Sequence, residues 1–319
     1  MTNLIKTLIC VTLAVSASSA FGQTRTITDD LERTVDVPAD PQRIVVLHDK
    51  ILGSPLIDLG CIPVGSHGRE TSGGVPFIRG SITVTGYDFD NSDIAYVGGN
   101  PADIEAVATA APDLIITSTW QNAAVDQLAA IAPTVVVATT ARGTIGVFPL
   151  LAKATSTEDL LGRLETRYDA QIAQIKRLVP TADITVSKLQ GISDGIYVQH
   201  TYSALGKVLR DAGFQFPDRV NAIPEGSAET LSAEALTDLD ADVIFMTYRT
   251  DRNQTPQDAL DAMEALVPGW CDLMHACRTG QMVILPRAEA TSASYDALMA
   301  MSMAVLATFS TGDIVKKPE

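Results

Sequence analysis

The chain has 319 residues, 46% of them hydrophobic, which is enough to bury one large core or two smaller ones and excludes a disordered chain. Its formal charge of -15 and pI near 4.6 argue against non-specific attraction to nucleic acid or anionic membranes, both of which need a net positive surface.

Residues 1–22 carry one basic side chain, Lys6, then the apolar run 8–15 and the small residues Ala17, Ser18, Ser19 and Ala20. This is the pattern of a secretory signal peptide, with cleavage after Ala20 or Gly22. The run is shorter than the ~20 apolar residues that span a bilayer. Cys10 lies inside it, badly placed for a lipoprotein cysteine. A soluble periplasmic protein is expected.

Strand-length apolar runs then alternate with helix-period stretches, first from 43 to about 137 and again from 184 to the end, which reads as two α/β lobes. Strands are predicted at 44–47, 62–64, 114–117 and 134–137. A helix is predicted to open at Asn100-Pro101 and run to about Ala110, with Asn as cap and Pro in the first turn; a second covers 122–131. Residues 157–178 contain no Pro and one Gly, and Leu161, Leu164, Tyr168, Ile172 and Ile175 step by three or four. That is one amphipathic helix of ~33 Å, long enough to bridge two lobes. Further strands are predicted at 184–189, 196–199, 243–247 and 282–285, with helices at 203–212, 232–239 and 295–309. The division is a leader at 1–22, an N-terminal α/β lobe at 23–153, a bridging helix at 154–179 and a C-terminal α/β lobe at 180–319, each lobe a mainly parallel sheet flanked by helices.

Beyond the leader the cysteines are Cys61, Cys271 and Cys277, an odd number for an oxidising compartment. Cys271 and Cys277 are spaced for a small-loop disulfide. Cys61 reads as a buried thiol. No set of Cys and His falls at zinc spacing.

Several segments, in order, resemble the periplasmic binding proteins of ferric siderophores, haem and vitamin B12. They are Thr26-Ile-Thr-Asp-Asp-Leu-Glu-Arg-Thr-Val-Asp-Val-Pro, Pro41-Gln-Arg-Ile-Val-Val-Leu, Asp58-Leu-Gly-Cys-Ile-Pro-Val-Gly, Tyr96-Val-Gly-Gly, Ile104-Glu-Ala and Ala111-Pro-Asp-Leu-Ile-Ile. Leu231-Ser-Ala-Glu-Ala-Leu and Asp240-Ala-Asp-Val-Ile-Phe repeat the theme in the second lobe. The resemblance covers nearly all of the mature chain. It implies two lobes joined by a long helix, ligand in the cleft between them, and Glu105 and Glu234 as surface glutamates that meet arginines on the membrane subunits of an ABC importer.

Arginine placement is informative in so acidic a chain. Arg69, Arg79, Arg142, Arg249, Arg252 and Arg287 all follow predicted strands, where the ligands of open α/β sheets settle. A guanidinium presents a planar fork of donors suited to carboxylate or catecholate oxygens. Trp120 is placed to pack on an apolar or aromatic part of the ligand, with Tyr248 and Tyr295 as further candidates. These residues favour an anionic ferric siderophore, of catecholate or carboxylate type, with Fe(III) carried by the ligand and no intrinsic cofactor. Some relatives complete the iron's coordination with a His and a Tyr; His48, His200 and Tyr295 are the candidates here. A monomer without nucleic-acid partners is expected.

Other readings place haem or cobalamin in the same cleft, or zinc or manganese on histidines at strand ends, His48, His67 and His200; clustered arginines oppose the dication. Gly191-Ile-Ser-Asp-Gly fits G-x-S-x-G with His275 downstream, a hydrolase pattern. Another strand follows it immediately, so Ser193-Asp194-Gly195 reads as a hairpin turn and the chain as no enzyme.

Overall fold

A computed structural model of the chain describes residues 23–143, 145–310 and 314–318. The leader expected at 1–22 lies outside them. Strands β1 (Thr24–Thr28) and β2 (Thr34–Pro38) form an antiparallel lead-in. The first half then supplies β3 (Ile44–Val46), β4 (Gly65–Ser66), the small hairpin β5 (Arg69–Glu70) and β6 (Pro76–Phe77), then β7 (Ala95–Tyr96), β8 (Leu114–Ser118) and β9 (Thr134–Val137). Five of these make a parallel sheet in the order β7-β4-β3-β8-β9. Side chains alternate along it: Ile44, Val46, Leu114 and Ile116 enter one core while Val45, Leu47 and Ile115 enter another. Helices on both faces require this double burial.

Two local expectations shift. The strand predicted at 62–64 is β4, three residues later, because Val64 N–H already bonds Ile44 and only the bare Gly65 fits between Val97 and Val45. The helix predicted from Asn100 is Ile104–Thr109. Gly98, at φ 87, turns the chain back so that Asp103 becomes the cap, accepting from the N–H groups of Glu105 and Ala106. Asn100 instead donates to Trp120 O and accepts from Asn122 N–H. The helix predicted at 122–131 contracts to Val125–Ala129.

The second half contributes β10 (Val186–Lys188), β11 (Gly191–Ile192), β12 (Gly195–Gln199), β13 (Ala228–Leu231), β14 (Val243–Tyr248) and β15 (Met282–Pro286). A parallel sheet β10-β14-β15 lies beside an antiparallel one, β11-β12-β13. The Ser193-Asp194 turn joins β11 to β12. Gly195 is required there: its φ is 144, and a Cβ would stand 2.3 Å from Leu231 O. Cys271 and Cys277 are joined, with Cα atoms 5.2 Å apart, whereas Cys61 is free and half-buried.

The long helix is Glu158–Leu178, about 31 Å at 1.5 Å per residue, and its buried residues are Leu161, Leu164, Tyr168, Ile172 and Ile175. Residues 154–155 belong to the preceding helix, Phe148–Thr155. The last helix, Tyr295–Ser310, packs along the long one and returns to the first half. Tyr295 N–H donates to Asp58 Oδ2 at 2.5 Å, and its ring lies 4.8 Å from Phe148 and 6.3 Å from Tyr168. One apolar core therefore runs from Ile44 and Leu114 through both helices to Val243 and Phe245. Among the described residues no helix is long and apolar enough to cross a membrane.

Candidate functional site

Side chains carried just past the carboxyl ends of parallel strands line two open cavities. The first, about 470 Å³, sits beyond β14 and β15, closed on one side by the β11 turn. Gln190, Ser193, Tyr197, Thr247, Arg249 and Arg287 are in its wall, with Arg252 and Gln254 from the following segment. Arg249 Nε donates to Asp251 Oδ1 at 3.0 Å, and the pair is bidentate. Among the described residues no carboxylate pairs with Arg252 or Arg287. Neither guanidinium is thus neutralised by a carboxylate, and Arg287 shares a hydrogen bond with Tyr202.

The second cavity, about 440 Å³, lies beyond β4, β7 and β8 and is lined by His67, Arg69, Glu70, Tyr96, Asn100 and Trp120. Trp120 is 37% exposed and edges onto His48 and His67 at 5.1 and 5.4 Å, with Arg69 Cζ 5.9 Å from its ring. Here an aromatic face stands beside a cation, which suits a conjugated anionic group.

Buried charge connects the cavities. Asp49 is fully buried; burial alone would raise its pKa, but bonds from His67 and Arg79 outweigh this and hold it far below the carboxylate range. Arg79 Nη2 is 2.6 Å and His67 Nδ1 3.2 Å from Asp49 Oδ1. The neighbouring Lys50 reaches the second half, where Nζ donates to Thr291 Oγ1 at 2.6 Å. Burial, with Arg79, Arg287 and Arg249 nearby, pulls Lys50 down to about 7. His67 and Arg79 thus bond Asp49, while its chain neighbour Lys50 bonds Thr291 and feels the charge of Arg287.

The structure brings five of the predicted residues, Arg69, Trp120, Arg249, Arg252 and Arg287, to the cavity walls, and Arg79 onto the buried Asp49. It removes others. Arg142 grips Asp30 at 2.6 Å with two nitrogens and donates its third to Gly146 O, pinning the lead-in to the end of β9. Its donors are occupied, so Arg142 lines neither cavity. Tyr295 is 3% exposed in the core shared by both halves, which withdraws it as a ligand or metal contact. Tyr248 packs into the second-half core. His48 Nδ1 accepts from Ile51 N–H, and burial depresses its pKa to about 4. His200 bonds Thr201 Oγ1 on the outer sheet. His48, His200 and Tyr295 are thus not brought together, and no group of three potential metal ligands of the His, Cys, Asp or Glu type occurs among the described residues. Glu105 and Glu234 stand exposed at helix starts in opposite halves, Glu234 held below its usual pKa by Ser232. Ser193 is a hairpin residue, and His275 Nε2 meets Val315 O, so no Ser-His pair forms.

Missed from the sequence were Gln190, Tyr197, Gln254, Lys188 and the Asp49-Lys50 pair. The charged run His48-Asp49-Lys50 directly after an apolar strand was a usable signal for the last.

The sequence model of the periplasmic binding protein family matches residues 75–288. The chain belongs to that family. Its members are binding proteins, which sets aside the hydrolase reading of Ser193. The chain is similar to Bacillus subtilis YfiY, named a probable siderophore-binding lipoprotein, with 30% identity over 241 residues, 72% of this chain and 70% of that one. It is similar also to FhuD of that organism, named an iron(3+)-hydroxamate-binding protein, with 31% identity over 218 residues, 66% and 65% of the two chains. Two solved structures share the fold: Staphylococcus aureus SirA complexed with staphyloferrin B, at TM-score 0.70 and 22% identity, covering 89% of this chain and 98% of that one; and a Bacillus subtilis periplasmic binding protein of a Fep/Fec-like ferrichrome ABC transporter, at TM-score 0.71 and 23% identity, covering 89% and 100%. The two-lobed α/β architecture of periplasmic binding proteins is therefore that of this chain.

Proposed function

We propose that this chain is an extracytoplasmic binding protein that captures an anionic ferric siderophore and passes it to the membrane subunits of an ABC importer. The observation that carries the reading is the convergence of Arg249, Arg252 and Arg287 on one cavity at the carboxyl ends of β14 and β15, two of them without an internal carboxylate. The names of the Bacillus subtilis relatives support a siderophore as the ligand class. Arg69 and Trp120 would hold a second arm of the same ligand, its iron arriving with it. Glu105 and Glu234, exposed in opposite halves, would dock the importer. Removal of the leader would leave a monomer in the periplasm.

Titration of ferric citrate, a ferric catecholate, a ferric hydroxamate, haem, cobalamin and zinc, followed by quenching of Trp120, tests this. The anionic ferric chelates are expected to saturate. Arg287→Ala should weaken them by about 10- to 100-fold, the worth of a charge-assisted hydrogen bond. Arg142→Ala should not, because that guanidinium is occupied by Asp30. A response to the hydroxamate, haem, cobalamin or zinc alone would overturn the anionic assignment. Reversing both glutamates should abolish uptake and leave binding intact.

A further inference from the structure

Lys188 ends β10, the parallel strand beside β14, and is buried at 7% exposure. Its Nζ donates to Gln190 Oε1 at 2.9 Å and sits 3.6 Å from the centre of the Tyr202 ring. No carboxylate pairs with it among the described residues; the charged group that bears on it is Arg287, also a cation. A buried ammonium next to a guanidinium and lacking a counter-ion is costly. An aromatic face and one amide oxygen offset only part of that cost.

The first cavity lies on the other side of this cluster. Gln190, Thr247 and Arg287 are in its wall, and Tyr202 O–H joins them through Thr247 Oγ1 at 3.1 Å and Gln190 Oε1 at 3.5 Å. Nζ meets the Gln190 amide at its oxygen, and once protonated it can meet no other end, because an ammonium has only donors. The Nε2 group of Gln190, with no partner among the described residues, is thereby left for the cavity. Lys188 thus sets which end of that amide a ligand meets, and its charge lies behind the same wall.

We propose that Lys188 is the positioning residue that makes this cavity select an anionic arm: as the anion settles on Arg287 and Gln190 Nε2, the Lys188 lone pair takes a proton from bulk water. The inference rests on the proposed siderophore reading of the same cavity and adds its charge preference and its linkage to pH. Burial without a counter-ion and the neighbouring Arg287 both favour the uncharged amine of Lys188, and an anion on Arg287 opposes the second of these. The groups facing Lys188 are Arg287, Tyr202 and Gln190; Lys50 shares the vicinity of Arg287 and is the competing proton acceptor.

The test is calorimetric titration of the whole mature chain with ferric citrate, and with a neutral ferric hydroxamate, in phosphate and Tris at one pH. Ferric citrate is expected to bring net proton uptake of up to one per chelate, visible as a buffer-dependent enthalpy. Its affinity should fall by up to about tenfold per pH unit on the alkaline side. The hydroxamate should bring none. Lys188→Met should abolish the uptake and lower the preference for the anionic probe over the neutral one by at least about tenfold. Lys188→Gln keeps a donor to Gln190 Oε1 and serves if the methionine variant does not fold. Uptake that is absent in the unmutated chain, or that persists in the variants, overturns the role of Lys188 alone. Failure of every anionic chelate to bind overturns the proposed function itself and this inference with it.

Discussion

Asp58 closes the helix Ser54–Asp58 in the first half and accepts from Tyr295 N–H at the start of the last helix, so it ties the two ends of the fold together. Its other oxygen, Oδ1, is buried without a partner, and burial together with Asp296 raises its pKa from 3.8 to about 7. A carboxyl whose pKa is raised on folding contributes stability that is fully present below about pH 4 and is lost as the pH rises through about 7. At ~1.4 kcal/mol per tenfold, the gap between 3.8 and about 7 sets a ceiling of about 4 kcal/mol, and partial solvation of the site brings the expected value nearer 2. Asp58→Asn keeps an acceptor for Tyr295 N–H, removes the ionisation and gives the orphan position a donor. The variant should match the parent at pH 4.5 and exceed it by about 2 kcal/mol at pH 8.5, read from urea midpoints with an unchanged slope. A variant as destabilised at pH 8.5 as at pH 4.5 would show that Asp58 is ionised and satisfied in the folded chain, which refutes the reasoning.

Gly195→Ala places a Cβ 2.3 Å from Leu231 O at a φ of 144, so it should cost about 3 kcal/mol in urea unfolding and displace the Ser193 turn from the first cavity. A loss under about 0.5 kcal/mol would mean that β12 and β13 are not in this register. Asp49→Ala strips the buried carboxylate from Arg79 and His67 and should cost about 3 kcal/mol or more at pH 8. Because the Asp49 pKa is depressed, its contribution is full above about pH 4 and declines as the pH falls below that, so the gap between parent and variant should narrow toward about pH 2, as followed by Trp fluorescence.

The parts of the fold that were legible were those governed by period and by local turn chemistry. The long helix carries five apolar residues at helical spacing over 21 residues, and each one is buried. The Asp-Gly pair at 194–195 announced a hairpin that exists. Strands of two residues left no such trace: Ile62 looked like a strand residue and is 47% exposed, while the glycine after Val64 makes the sheet contacts. The helix start at Asn100 was misread because the decisive feature is the turn at Gly98, where a Cβ would sit 2.8 Å from Asp103 N. Arginines at strand ends stand out in the sequence as a class, but Arg142 is set apart from Arg287 by Asp30, 112 positions away, which occupies the first. Long-range pairing of that kind is invisible to local pattern.

The shared core also limits what the cleft can do. Tyr295, Phe148 and Tyr168 meet where the last helix, the first half and the long helix join, and Ile44 and Phe245 belong to the same apolar cluster. Parting the halves would expose several such side chains at ~1.5–3 kcal/mol each, comparable with the whole stability of a domain. Movement linked to ligand must then lie in segments outside that core. The hairpin β5–β6, whose tip residue Val75 is 59% exposed and whose first strand lines the second cavity, is one such segment. An anion that draws Arg69 toward Arg287 would act on that hairpin first, and the long helix would stay still.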